Sequence, residues 1–197
     1  MDKVIAVEGH SVVTAGGRMF LYIEHCGIRF MVQDETALHR IKRAINLLCR
    51  IGYDKMVRRS NMLTVVCSAP KNNAGALLSL GNAKIFFIDF GPTTTYTLRS
   101  LASCFVHEAQ HCTQRHKYGD ALTPLSRFRR EWGACRAQKQ FLKLAGGEKE
   151  IRYLDSLFQK KQYWWIRTKR EQAAWDKWIA RNNLVFNGLC DLGIVSI

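Results

Sequence analysis

Residues 84–90, Lys84-Ile85-Phe86-Phe87-Ile88-Asp89-Phe90, carry the most emphatic strand signal in the chain, and Gly91-Pro92 closes it. Beyond that point the apolar period changes. Leu98, Leu101, Ala102, Phe105, Ala109 and Cys112 recur at helical spacing and predict one helix from about Thr95 to Arg115. The chain passes here from a region of strands to a region of helices, and that change of period decides the fold class.

Upstream, Val4-Ile5-Ala6-Val7 is a short apolar run and Ala15-Gly16-Gly17 is a turn signal. Met19–Ile23 and Ile28–Val32 flank His25-Cys26-Gly27 as a hairpin. Asp34 reads as an N-cap, followed by Leu38, Ile41, Ala44, Ile45 and Leu48 at helical spacing until Gly52. Leu63–Cys67 is a further strand, stopped by Pro70 and two asparagines. Downstream, Lys117–Asp120 and Pro124 separate the first helix from a second, Ser126 to Ala145, ended by Gly146-Gly147. A third begins near Glu148 and continues, kinked or broken, to Asn182.

This order predicts an α+β fold in which a mostly antiparallel N-terminal sheet packs on the central helix and the C-terminal helices. One domain, 1–197, is expected, with 1–92 mainly strands plus one helix and 93–197 mainly helical. The strand at 84–90 is either an edge strand able to pair with an extended peptide or, from its nearly continuous apolar run, a buried central one.

The 197 residues include 30 Lys and Arg against 16 Asp and Glu, a net charge of +14. Hydrophobic residues are 47% of the chain, which excludes the composition of a disordered protein. No uncharged run reaches the ~18 residues of a membrane-spanning helix. Met1-Asp2-Lys3-Val4 does not begin a signal peptide. A soluble chain, cytoplasmic at synthesis, is expected. Seven cysteines without a CxxC read as reduced thiols. Residues 1–90 carry 12 basic and 7 acidic groups, net +5, and residues 91–197 carry 18 and 9, net +9. The helical half is the more cationic.

That half holds the one strong motif, His107-Glu108-Ala109-Gln110-His111. An HExxH on a helix sets two imidazoles one turn apart, so both reach a single Zn²⁺, with bonds of ~2.0–2.1 Å. Glu108 projects between them, where it serves as general base rather than ligand. One Zn²⁺ per chain needs a third protein ligand. Glu131, twenty positions after His111, lies on the next predicted helix, and the intervening connection is long enough to fold that helix back. Ala134, one turn later, lets two helices approach closely.

HExxH followed by Glu131-Trp132-Gly133-Ala134, an ExxA, resembles the gluzincin branch of the zincin metallopeptidases. The resemblance covers about residues 84–145. It implies a zincin-like fold, zinc held by His107, His111 and Glu131, Glu108 as base, and an edge strand that binds substrate above the active-site helix. One position departs from the pattern: where gluzincins often carry an Asp that orients a ligand histidine, this chain has Cys135, a poor acceptor.

Asp120 and His116 are the alternative third ligands. His116 gives HExxH-x4-H and faces away from the pair on a continuous helix, while Asp120 lacks the surrounding pattern of an aspzincin. Cys112 points to the apolar face. Tyr118, His116 and Tyr153 are candidates for the donor that stabilises the transition state. His10, His25 and His39 are scattered and read as structural or solvent-facing. Near the C-terminus, Trp164, Trp165, Trp175 and Trp178 lie among Lys160, Lys161, Arg167, Lys169, Arg170, Lys177 and Arg181. Helical spacing makes most of these aromatics core, with the charges as the solvated face.

The expectation is a zinc metallopeptidase acting on a protein or peptide substrate, with Arg127, Arg129 and Arg130 favouring acidic ones. Small size, basicity and the lack of a propeptide also fit a compact effector or toxin exported without a cleavable signal peptide. Two rival classes are a nucleic-acid-associated protein using its basic C-terminal half and a zincin-shaped module that binds zinc without turnover. Oligomeric state is not legible in the sequence.

Overall fold

The computed structural model describes residues 3–7, 10–67, 75–80, 83–119, 124–159 and 169–194. Seven strands form one mixed sheet: β1 (Lys3–Val7), β2 (His10–Ala15), β3 (Arg18–His25), β4 (Ile28–Val32), β5 (Leu63–Cys67), β6 (Gly75–Leu80) and β7 (Ala83–Asp89), in the order β1-β2-β3-β4-β5-β7-β6. The first four form an antiparallel meander, β4-β5 and β5-β7 are parallel, and β6 returns antiparallel to β7. The helices are α1 (Glu35–Ile51), α2 (Asp54–Arg59), α3 (Phe90–Thr95), α4 (Leu98–Tyr118), α5 (Pro124–Leu144), α6 (Glu148–Gln159) and α7 (Lys169–Asp191). This is the mixed α+β class read from the change of period.

The apolar run of β7 is explained by burial on both faces. Phe86 and Ile88 point into a core shared with α1 and α4, whereas Ile85 and Phe87 point into a second core shared with α7. Phe105 of α4 meets Phe86 edge-to-face at 5.7 Å, and Trp178 of α7 meets Phe87 on the other side at 5.2 Å. The molecule is therefore helix, sheet, helix in section. Each large side chain buried this way contributes roughly 1.5–3 kcal/mol, so the two cores clamp the centre of the sheet from opposite sides.

This placement settles the choice left open for residues 84–90. β7 is interior, paired along its backbone with β5 on one side and β6 on the other, and its alternate side chains are covered on both faces. Its edge role passes to β6, a strand the apolar pattern did not announce.

The helix carrying the motif starts later than its periodicity suggested. Thr97 is extended, and its hydroxyl accepts from Ser100 N, so the helix is capped there and begins at Leu98. Thr95, the expected start, is the last residue of the separate helix α3, and Tyr96 links the two. Arg40 of α1 locks the junction by donating to the carbonyls of Thr93 and Tyr96. Of the long C-terminal helix, the stretches Glu148–Gln159 (α6) and Lys169–Asp191 (α7) are helical, and residues 160–168, with Trp164 and Trp165, lie outside the described residues. Trp178 is core, as its spacing indicated.

One glycine is required by the packing of α7. Gly16, in the β2–β3 turn, has φ +56, and a β-carbon there would stand 2.6 Å from Val185 N on α7. Both the turn and the approach of the helix exclude a side chain. Cys26, Cys49, Cys104, Cys112, Cys135 and Cys190 are free thiols. Among the described residues no helix is long and apolar enough to cross a membrane.

Candidate metal centre

The site forms where α4 and α5 cross. The apolar stripe of α4, Leu101, Ala102, Phe105, Val106, Ala109 and Cys112, is turned into the sheet-side core. His107 and His111 lie on the flank of that stripe, towards α5. Ala134 and Ala109 are fully buried. Small residues on both helices let the backbones approach closely enough for a glutamate on one to reach histidines on the other. Arg130 also donates to Gly119 O at 2.8 Å, tying the start of α5 to the end of α4.

The three ligand atoms converge. Nε2 of His107 and Nε2 of His111 are 3.0 Å apart, and Glu131 Oε2 lies 3.3 Å from the first and 3.4 Å from the second. A tetrahedral ion with bonds of ~2.0–2.1 Å has ligand–ligand edges of about 3.3–3.4 Å. The triangle matches one face of that tetrahedron. The side chains are only 11%, 15% and 14% exposed, so the group is recessed but reachable. Among the described residues these three form a group able to hold a metal ion.

The polarity of the surrounding hydrogen bonds is set by backbone carbonyls, which can only accept. Ser103 Oγ donates to Ser100 O at 2.7 Å and so receives Gln138 Nε2 at 2.8 Å. Gln138 Oε1 therefore faces His107, whose Nδ1–H donates to it at 3.2 Å. Gln114 Nε2 donates to Arg130 O at 2.9 Å, which turns its Oε1 to accept from His111 Nδ1–H at 3.1 Å. With both Nδ1 atoms protonated, both Nε2 lone pairs face the same point. Two lone pairs at 3.0 Å with a carboxylate beside them call for a cation.

Charge follows the same geometry. Burial pushes the Glu131 carboxyl up, but the hydrogen bonds and positive charge of His107 and His111 outweigh it and hold Glu131 well below the ordinary carboxylate range. Burial pulls His111 down, yet its bond to Glu131 and the negative charges of Glu108 and Glu131 leave it raised. Glu108 is raised, first by burial and then by Glu131, against the opposing His107, His111 and Arg115. A carboxylate so placed is a better base than a solvated one.

No protein-family model, curated protein or solved structure matches the chain.

Three of the residues read from the motif thus come together: His107, His111 and Glu131, with Glu108 on the same turn as the histidines. Asp120 lies outside the described residues. His116 is exposed on α4 and is not part of the ligand group. Tyr118 and Tyr153 are 63% and 64% exposed, and Lys117 Nζ sits 5.3 Å from the centre of the Tyr118 ring. These three candidate donors stay at the surface. Cys112 is buried in the core, as its position on the apolar face indicated.

Two functional residues were not read from the sequence. Cys135, at the place of the orienting aspartate, lies 3.9 Å from His107 Nδ1, and Gln138 makes the closer contact. Gln138 is seven residues after Glu131, two turns along the same face of α5, and Gln114 is three after His111 on α4. That spacing was the available signal.

Proposed function

We propose that the chain is a zinc-dependent metallopeptidase of gluzincin type that hydrolyses peptide bonds of a protein substrate. The observation carrying this reading is the His107–His111–Glu131 triangle, with edges of 3.0, 3.3 and 3.4 Å and both imidazole lone pairs turned inward. Its donor set among the described residues, two imidazoles and one carboxylate, is that of catalytic rather than structural zinc.

Zinc held there would supply a Lewis acid that polarises the scissile carbonyl and makes water more acidic. The remaining chemistry belongs to the chain. Glu108 takes a proton from the attacking water as its oxygen bonds to the carbonyl carbon, then delivers that proton to the amide nitrogen as the C–N bond breaks. Glu131 neutralises charge at the site, and Gln114 and Gln138 hold the rings in place. β6, the last strand of the described sheet, runs antiparallel to β7 and contacts α4, so its outer edge is where an extended peptide would pair. Arg127 and Arg129, exposed on the first turns of α5, border Glu131 and favour acidic substrates. A compact exported effector is consistent with this chemistry.

Glu108 separates an enzyme from a binding module, because a protein that only held zinc would have no use for a half-buried base on the same turn as its ligands. The test is elemental analysis of the purified chain together with cleavage of an unfolded protein, with and without chelator and zinc add-back. One zinc per chain and cleavage lost in Glu108→Gln is the expected result. Absence of bound transition metal under every loading condition would end the reading.

A further inference from the structure

We infer that Gln114 and Gln138 are positioning residues of the metal centre, and that position 133 is glycine because the Gln114 amide occupies the space of its β-carbon. The inference rests on the metal reading above and concerns how this chain tunes it. The geometry has two halves, one for each histidine. The His107 half runs from the Ser100 carbonyl through Ser103 Oγ and the Gln138 amide to Nδ1. The His111 half runs from the Arg130 carbonyl through the Gln114 amide to Nδ1. The Arg130 carbonyl can only accept, so the Gln114 amide cannot be flipped without setting acceptor against acceptor. Gln138 is oriented by a Ser103 hydroxyl whose proton is directed to the Ser100 carbonyl. Each histidine is thereby kept as the Nδ1–H tautomer, with Nε2 free for the metal.

Both acceptors are neutral. A carboxylate in that role makes the imidazole a stronger donor to the metal, and this chain has an amide there at both histidines. The arrangement holds ring orientation while withholding that extra donor strength.

Gly133 supplies an independent mark of the same device. It sits within α5, where glycine is disfavoured, and an added β-carbon would stand 2.6 Å from Gln114 Nε2. The atom in the way is the tip of a flexible side chain. An alanine there would leave the helix intact and displace the amide from His111. The pairing is a β-carbon against an amide, with no contact between residue 133 and a ligand atom.

Zinc affinity measured by competition with a chromophoric chelator, and the visible spectrum of the cobalt-substituted chain, test the inference without reference to catalysis. Gln114→Leu and Gln138→Leu should each weaken zinc roughly 10–100-fold. Gln138→Glu, which keeps an acceptor at Nδ1, should bind zinc at least as tightly as the natural chain. Gly133→Ala should weaken zinc as Gln114→Leu does and alter the cobalt spectrum, yet cost nothing further in a Gln114→Ala background. Unchanged affinity in Gly133→Ala, or Gln138→Glu as weak as Gln138→Leu, would overturn the inference while leaving the metallopeptidase reading standing. A natural chain that binds no zinc would instead remove the reading on which both depend.

Discussion

His107 and His111 face each other through their Nε2 atoms at 3.0 Å while each offers its Nδ1–H to a glutamine oxygen. Without a cation the two lone pairs repel, and Glu131 partly relieves this by favouring a proton on the pair. A metal relieves it fully. Zinc at about 100 times its dissociation constant should therefore add about 2.7 kcal/mol of stability. For a chain of this size that is a rise in Tm of about 5–10 °C, read by a thermal melt with and without chelator. Superimposable melts would show that the group is a protein-only hydrogen-bond cluster.

Ligand identity follows from the triangle. His107→Ala or Glu131→Ala should leave no stoichiometric zinc, since two remaining donors cannot hold it against a chelator. His116→Ala should keep a full equivalent, because that side chain is exposed and outside the group. Metal content by mass spectrometry after dialysis decides between them, and zinc lost from the His116 variant would revive the alternative ligand.

Glu108 needs a different outcome. Glu108→Gln is nearly isosteric and removes only the base, so zinc content should stay at one per chain. Hydrolysis should fall by about 10²–10⁴-fold, the usual contribution of a positioned proton acceptor. Substantial cleavage by this variant would mean that the proton goes elsewhere.

The legible part of the site was the part with local spacing. Two histidines four apart on a helix declare a shared target, and Glu131 could be matched to them because the connection before its helix is long enough to fold that helix back. The glutamines were silent, since an amide has no chemical signature until its neighbours are known. Gln138 stands out only once α5 is laid against α4. In the fold, the nearly continuous hydrophobicity of residues 84–90 made burial on two faces one of two open readings, beside that of an edge strand. It could not name the strand beyond, because β6, Gly75-Ala76-Leu77-Leu78-Ser79-Leu80, lacks the β-branched and aromatic residues that mark β7.

Acid should release the metal. Burial lowers His111, but Glu131 and Glu108 more than compensate, so its folded pKa lies above the ordinary value of 6.5. Below that pKa the ring carries a proton that zinc must displace. Apparent affinity should then fall by about tenfold per pH unit for each proton displaced, beginning above pH 6.5 rather than in the carboxylate range. A chelator titration from pH 8 to 5 reads this directly. An affinity flat to pH 5 would mean that His111 does not titrate against the metal.

The last prediction concerns the far side of the sheet. Trp178 packs on Phe87 at 5.2 Å in the core that α7 covers, while the ligands sit beyond the opposite face, where Phe86 meets Phe105. Trp178→Ala should cost about 3–5 kcal/mol, the range for emptying a large aromatic site, and lower the midpoint of chemical denaturation accordingly. Its folded fraction should nevertheless bind zinc with unchanged affinity, because no residue of the triangle or of its glutamine supports belongs to that core. Phe105→Ala should lower stability by a similar amount and also weaken zinc, since Phe105 fixes the helix that carries both histidines. Denaturation and chelator competition on the two variants separate holding the sheet from holding the site. Equal loss of zinc affinity in both would show instead that the two cores respond as one unit.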